Sequence, residues 1–142
     1  MQLQQQRNKY LETTVQTASP AQLLIMLYDG AIRFCRRGIE AIKEQNYADA
    51  NTNLLKVQNI ISEFIITIDR SSPISENLIR LYEYFNLRLI EANMKKDVES
   101  AEEVLGYLID LKETWIQTAK QSNLLAGQPN AAAFAATRST VV

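Results

Sequence analysis

The chain has 142 residues, of which 46% are hydrophobic and 22% are charged, and its net charge is −1. This length and apolar content are sufficient for one domain with a sizeable core. The balanced charge argues against a nucleic-acid-binding protein, which usually has a clear basic excess. The one notable basic cluster, Arg33, Arg36 and Arg37, is interpreted as a solvated helix face and not as an anion site.

The residue types present exclude several kinds of active site. The chain has no histidine, which rules out the Glu-x-x-His pairs of di-iron bundles, haem attachment through C-x-x-C-H and a phosphorylated histidine. The single cysteine, Cys35, cannot form an intramolecular disulfide or a thiolate zinc site, and its apolar neighbours indicate a small core residue. The glycines are isolated and form no phosphate-binding loop. We therefore predict no catalytic residues, metal or cofactor.

The hydropathy pattern does not indicate a membrane protein. No apolar run approaches the roughly 20 residues that a transmembrane helix needs. The first residues, MQLQQQRNKY, lack the apolar core of a signal peptide. We expect a protein of the cytosol that does not insert into a membrane.

The first long helix has a well-marked beginning. Ser19, Pro20 and Gln22 supply an N-cap, a proline at the first helical position and a capping-box side chain. Apolar residues then recur at helical spacing and predict a helix over about 20–46. The preceding residues 1–18 are predicted to form an N-terminal arm.

Three further helices follow with short connections. Asn46 is a candidate cap for a second helix that runs to about residue 69. Ser72 and Pro73 repeat the cap-then-proline signal for a third helix, and Asp97 is placed to cap a fourth over about 98–121. Long helices joined by short turns predict an all-α, antiparallel up-down-up-down four-helix bundle in residues 19–121. Residues 122–142 have little apolar bulk and are predicted to form a flexible tail.

The first helix has two apolar stripes where one packing seam would need a single stripe. We assign one stripe to the bundle seam, comprising Leu23, Leu27, Ala31, Phe34, Gly38 and Ala41. The second stripe comprises Ile25, Tyr28, Ile32, Cys35, Ile39 and Ile42. Either both stripes face neighbouring helices, or part of the second stripe forms a surface for a partner.

The second and third helices have apolar residues outside their core stripes. Leu55 and Ile66 share a face with two uncharged residues, and Ile79, Leu87 and Ile90 lie off the seam of the third helix. We expect these side chains to be exposed. A contiguous apolar patch of this kind would be suited to an amphipathic partner helix or to a homodimer interface. The candidate partner-binding residues are Ile25, Tyr28, Ile32, Leu55, Ile66, Ile79, Leu87 and Ile90.

The N-terminal arm has three apolar residues on one side of a helical turn, Tyr10, Leu11 and Val15. One hypothesis is that the arm folds over the apolar groove as a lid while no partner is bound. The alternative is that it packs permanently against the bundle.

Three motifs resemble the flagellin secretion chaperone family, FliS. They are Asn8-x-Tyr10, then Thr17-Ala18-Ser19-Pro20, and then Leu23-x-x-Met26-Leu27-Tyr28-Asp29-Gly30-Ala31. The resemblance extends over roughly residues 8–121 and includes the proline-started third helix.

The resemblance implies a cytoplasmic chaperone that binds the disordered C-terminal segment of flagellin in apolar grooves. Such a protein would prevent premature polymerisation and present its substrate to the gate of the flagellar type III export system. By the same resemblance, Tyr10 with Asn8 and Leu11 would cover part of that surface in the free protein. Tyr28 would line the groove, and Asp29 would make a structural hydrogen bond, with the N-terminal arm as one possible partner. The alternative is a homodimeric helical adaptor whose extra apolar stripe is the dimer interface.

Overall fold

The structure is a computed structural model that describes residues 2–124, except for the side chains of residues 2, 14, 15 and 122–124. The described residues form five α-helices and no strand, which confirms the all-α class. The helices are α1 (Gln2–Thr17), α2 (Pro20–Lys43), α3 (Tyr47–Thr67), α4 (Ser75–Lys95) and α5 (Val98–Leu124). The side chain of Val15 and the tail from residue 125 onward lie outside the described residues.

Three helices begin at the caps that the sequence predicts. At α2, Ser19 Oγ accepts a hydrogen bond from the Gln22 amide at 3.2 Å, and Gln22 Oε1 accepts one from the Ser19 amide at 2.9 Å. At α3, Asn46 Oδ1 accepts from the Asp49 amide at 3.3 Å. At α5, Asp97 Oδ1 accepts from the backbone amide two residues further on at 3.0 Å. These bonds satisfy amide groups that have no acceptor within the helix.

The third bundle helix begins later than the sequence predicts. Helix α4 starts at Ser75 and not at Ser72 or Pro73. The reason is a local turn in which the Asp69 carboxylate accepts a hydrogen bond from the Ser71 amide at 3.0 Å. The Asp69 carbonyl accepts a second one from the Ser72 amide, also at 3.0 Å. Asp and Ser side chains commonly form such turns in competition with helix initiation.

Helices α2 to α5 pack in a closed ring around one core. The packed pairs are α2 with α3, α3 with α4, α4 with α5, and α5 with α2, and α1 lies outside this ring. The centre of the core is aromatic: the Tyr28 and Phe64 ring centroids are 4.9 Å apart, and those of Phe64 and Tyr82 are 5.4 Å apart. The hydroxyl oxygens of Tyr28 and Tyr82 are 2.7 Å apart and satisfy each other by a buried hydrogen bond.

A glycine allows α2 and α3 to approach each other closely at one point. A Cβ atom at Gly38 would lie 2.8 Å from Leu54 Cδ2, which is closer than packed carbon atoms can be. Gly38 therefore permits the close approach of the two helices. At Gly30 the nearest atom to such a Cβ is Ile60 Cδ1 at 3.7 Å, an ordinary contact, so the packing does not require glycine there.

Cys35 is a buried core residue, as its neighbours in the sequence predict. Its side chain is inaccessible to solvent, and its thiol donates a hydrogen bond to the Ala101 carbonyl at 3.5 Å. Burial raises the pKa of the thiol to about 12. The thiol is therefore protonated at neutral pH and unreactive.

Candidate partner-binding surface

Four large apolar side chains are exposed on the neighbouring helices α3 and α4. Their exposed fractions are 43% for Leu55, 72% for Ile66, 63% for Leu87 and 43% for Ile90. The expected exposure of these four residues is confirmed, and their role in binding a partner stays a prediction. We refer to them together as the α3–α4 face.

The α3–α4 face borders a seam formed by uncharged polar side chains. The Asn86 amide donates to Ser62 Oγ at 3.1 Å, and the Asn93 amide donates to Asn51 Oδ1 at 2.6 Å. Leu55 lies between Asn51 and Ser62 along α3, so apolar and uncharged polar groups alternate there. Hydrogen bonds of this kind fix the spacing of the two helices without placing charge on the surface between them.

The opposite side of α4 is different in character, because ion pairs join it to α5. Arg88 donates to Glu103 at 2.7 Å and to Glu91 at 2.6 Å, and the Tyr84 hydroxyl donates to Glu103 at 2.8 Å. The hydrogen bonds from Tyr84 and Arg88 lower the pKa of Glu103, so this carboxylate stays ionised. The α3–α4 side is thus the better candidate for docking an apolar segment.

Two neighbours modify the α3–α4 face. Ile79, expected to be exposed, is only partly accessible because it packs against the core. Met94 is 78% exposed and extends the line of Leu87 and Ile90 by one turn. Met94 was not among the residues predicted from the sequence, although its spacing from Ile90 places it on the same side of the helix. Glu83, one turn before Leu87, marks where the apolar line ends.

The prediction that Tyr28 and Ile32 lie on an available surface is wrong. Tyr28 is fully buried with its hydroxyl bonded to Tyr82, and Ile32 is 6% exposed. Ile25, from the same predicted stripe, is partly accessible and lines a surface pocket with Met26 near the junction of α1 and α2. Only Ile25 of these three residues has a side chain that a partner can reach.

The physical reason is that α2 contacts two helices, α3 on one side and α5 on the other. The direction into the core lies between these contacts. Leu24, which belongs to neither predicted stripe, is fully buried there. Leu23, Leu27 and Phe34, which we had assigned to the seam, are only partly buried. Periodicity revealed the broad apolar arc of α2 but placed its centre incorrectly.

Among the described side chains, Asp29 makes no bond to the N-terminal arm. Its carboxylate forms an ion pair with Lys112 of α5. The expected structural role of Asp29 is therefore retained, with a partner in the bundle. The pair joins α2 to α5 at a partly exposed position, where an ion pair adds at most about 1 kcal/mol.

The N-terminal arm contains a helix of 16 residues, and two of its apolar side chains are accessible. Tyr10 is 70% exposed and Leu11 is 48% exposed, and Asn8 is exposed as well. In this conformation, therefore, α1 does not cover the α3–α4 face. The hypothesis that α1 closes over a groove stays a prediction.

The fold and this surface define a helical-bundle protein with an exposed apolar face on two adjacent helices. In the part of the chain that the structure describes, no helix has the length and apolar character to cross a membrane. The same residues contain no cluster of three or more side chains suited to bind a metal ion.

Comparison with known proteins identifies the family. The chain belongs to the FliS family, whose model, described as flagellar protein FliS, matches residues 3–122. The flagellar secretion chaperone FliS of Bacillus subtilis (strain 168) is 37% identical over 117 residues, which cover 82% of this chain and 88% of that protein. The FliS chaperone of Salmonella typhimurium is 32% identical over 116 residues, covering 80% and 86%. That of Escherichia coli K12 is 30% identical over 118 residues, covering 81% and 87%.

Proposed function

We propose that this protein is a cytosolic chaperone that binds the disordered C-terminal region of flagellin on the α3–α4 face. Binding would keep flagellin from polymerising before it reaches the gate of the flagellar type III export system. The observation that carries the proposal is the exposed apolar face beside an uncharged seam, in a chain whose relatives are named flagellar secretion chaperones. The proposed action is masking of a surface and requires no catalytic step.

We also propose that the bundle has the antiparallel up-down-up-down arrangement. Gly38 of α2 lies next to Leu54 of α3, and Gly30 lies near Ile60. The earlier position on α2 thus meets the later position on α3, which supports opposite helix directions. In this arrangement α3 and α4 run alongside each other over their length, as an extended binding face requires.

The α3–α4 face suits a segment that becomes helical on binding. An amphipathic helix presents apolar side chains at intervals of three or four residues, and Leu55, Ile66, Leu87 and Ile90 offer contacts at several points along two helices. Burial of about 1,000 Å² of apolar surface would contribute roughly 25 kcal/mol before costs. Ordering of the flagellin segment offsets much of this gain, so binding stays reversible.

A binding experiment with flagellin tests the proposal. Full-length flagellin should be retained by the immobilised protein, and flagellin without its C-terminal region should not. Ile66→Glu should raise the Kd about thirtyfold, because it removes about 2 kcal/mol of apolar contact. Ile109→Glu is the matched control, since Ile109 is also exposed and lies on α5, away from the α3–α4 face.

The outcomes separate a surface role from a core role. Both variants should keep the far-UV circular dichroism spectrum and the Tm of the parent protein. Equal retention of both flagellin forms would reject C-terminal recognition. Equal weakening by the two variants would place the binding site elsewhere.

The role of α1 as a displaceable lid is a second part of the proposal. Tyr10 and Leu11 provide apolar groups that could cover a groove in another conformation. If α1 covers apolar surface in solution, deletion of residues 1–15 should increase the binding of a fluorescent apolar dye. In addition, Tyr10→Ala should tighten flagellin binding by removing the competitor. Unchanged dye binding would exclude the lid.

A homodimeric adaptor is the alternative, because the same exposed side chains could pack against a second copy. Sedimentation at decreasing protein concentration, with and without a flagellin C-terminal peptide, distinguishes the two functions. A monomer that binds the peptide supports the chaperone. A concentration-independent dimer that ignores the peptide would support the adaptor.

A further inference from the structure

Five cationic side chains lie together on one side of the bundle. Arg33, Arg36 and Arg37 extend from α2, with Lys56 on the neighbouring α3 and Lys112 on the neighbouring α5. We call this group the basic face. The sequence showed only the three arginines, and the two lysines join them through the packing of α2 between α3 and α5.

The basic face is organised around a partly buried aromatic ring. The Phe34 ring centroid lies 5.4 Å from Arg33 Cζ, 5.9 Å from Arg37 Cζ and 5.0 Å from Lys56 Nζ. Cations at these distances are attracted by the ring. Phe34 thus holds three cations next to one another, and they have less freedom to adjust than isolated surface side chains.

Most of these cations lack a carboxylate partner. Over residues 2–124, no ion pair involves Arg33, Arg36, Arg37 or Lys56, and only Lys112 is paired, with Asp29. Several cations elsewhere on the bundle are paired about one turn away, as in Lys43–Glu40, Arg80–Glu76 and Lys95–Glu91. The chain as a whole has a net charge of −1. Other described cations, such as Arg70 and Lys120, also lack an ion pair, so the distinguishing feature of this face is that four unpaired cations lie close together.

A surface pocket between α2 and α5 continues the basic face. Its volume is about 530 Å³, and its lining combines Arg36 and Arg37 with the exposed apolar side chain of Ile109. This volume exceeds what a single small ion would fill, and its lining is partly apolar. It is of the size and mixed character that accommodates side chains of a bound segment.

We infer that the basic face binds an acidic amphipathic segment of a partner protein. Its carboxylates would pair with the arginines, whose guanidinium groups bind carboxylates through two parallel hydrogen bonds. Its apolar side chains would contact Phe34 and Ile109. A nucleic acid fits less well, because the apolar side chain of Ile109 in the pocket has a natural partner in an amphipathic segment but none on a phosphate backbone.

The basic face is separate from the α3–α4 face. Its arginines extend from α2, whose neighbours around the ring are α3 and α5, whereas α4 lies across the core from α2. The inference therefore does not depend on the flagellin proposal. Both ligands should bind the same molecule at the same time.

Fluorescence anisotropy with designed peptides tests the inference on the full chain. The probe is a labelled peptide of about 20 residues with Leu at helical spacing and Glu on the remaining positions. The matched peptide has Gln in place of Glu. The test variant is Arg33→Gln/Arg36→Gln/Arg37→Gln, and the control variant is Lys43→Gln/Arg80→Gln/Lys95→Gln, which changes the net charge equally.

We expect the Glu peptide to bind and the Gln peptide to bind more weakly. Loss of three exposed ion pairs should weaken binding by the test variant about tenfold, and the control variant should resemble the parent. The difference in affinity between the Glu peptide and the Gln peptide should be smaller at about 0.5 M salt than at about 0.05 M salt, because salt screens the charges. A flagellin C-terminal fragment should bind all three proteins alike and should not displace the peptide.

Several results would overturn the inference. These are equal binding of the two peptides, equal weakening by the two triple variants, and displacement of the Glu peptide by the flagellin fragment. Tighter binding of a single-stranded DNA of about 20 nucleotides than of the Glu peptide would assign the face to nucleic acid instead.

Discussion

Replacing Tyr28 by Phe removes one of two hydroxyl groups that meet in the centre of the bundle. The two oxygens, on Tyr28 and Tyr82, are 2.7 Å apart, and both side chains are fully buried. Within the core, each hydroxyl is the other's hydrogen-bond partner. The two residues therefore form a pair whose members can be removed separately or together.

The structure sets the expected magnitudes. Tyr28→Phe leaves the Tyr82 hydroxyl buried without this partner, which costs about 1–3 kcal/mol of unfolding free energy. Tyr82→Phe should cost a similar amount for the same reason. The double variant leaves neither hydroxyl behind. Its unfolding free energy should therefore be no lower than that of the less stable single variant. The expected coupling energy is about 1–2 kcal/mol.

Urea denaturation followed by circular dichroism measures these three free energies, with m-values as the check on two-state unfolding. Costs that add in the double variant would refute the mutual pairing.

Alkaline pH gives a second measurement. Burial raises the pKa of Tyr28 to about 12 and that of Tyr82 well above its usual value of 10.

The unfolded chain therefore loses these protons at lower pH than the folded chain does. Stability is unaffected below pH 10 and falls as the pH rises above it, by up to about 1.4 kcal/mol per pH unit for each tyrosine. The double Phe variant should show a smaller fall. An equal fall in both proteins would refute the assignment of the raised pKa values to this pair.

Three further predictions concern α2 and the turn that follows it. Gly38→Ala should be less stable than Gly30→Ala by about 1–3 kcal/mol, because only the first substitution overpacks the core. Thermal unfolding measures the difference, and equal Tm values would contradict the close approach of α2 and α3. Cys35 should not react with a thiol reagent at pH 8 in the folded protein but should react fully in denaturant, and rapid reaction without denaturant would show that its burial is transient. Gln45→Gly should raise the unfolding free energy by about 0.5–1 kcal/mol, since Gln45 has a φ of 61°; a loss of stability would show that the side chain outweighs the backbone strain.

Local features of the fold were predictable because local sequence determines them. The caps at Ser19, Asn46 and Asp97 involve residues two or three positions apart, so the motif contains all the interacting groups. The start of α4 was misplaced because one of the interacting residues lies outside the cap motif. Asp69, three residues before Ser72, stabilises a turn that the cap-then-proline signal does not include.

The exposed apolar residues were only partly predictable. Leu55 and Ile66 were found because their own helix face lacks charged residues, a pattern that a solvated helix seldom has. Tyr28 and Ile32 were misassigned because the directions in which α2 meets its two neighbours depend on the packing of the whole ring. The lysines of the basic face could not be found from the sequence, since they reach it from other helices.

The seam between α3 and α4 is closed at both extremities. Residues 68–74 connect the two helices at one extremity, and at the other Asn93 bonds Asn51 while the Lys96 ammonium lies 5.3 Å from the centre of the Tyr47 ring. A polypeptide can therefore not be threaded lengthwise into it and must be laid in sideways. Sideways loading needs no free chain end.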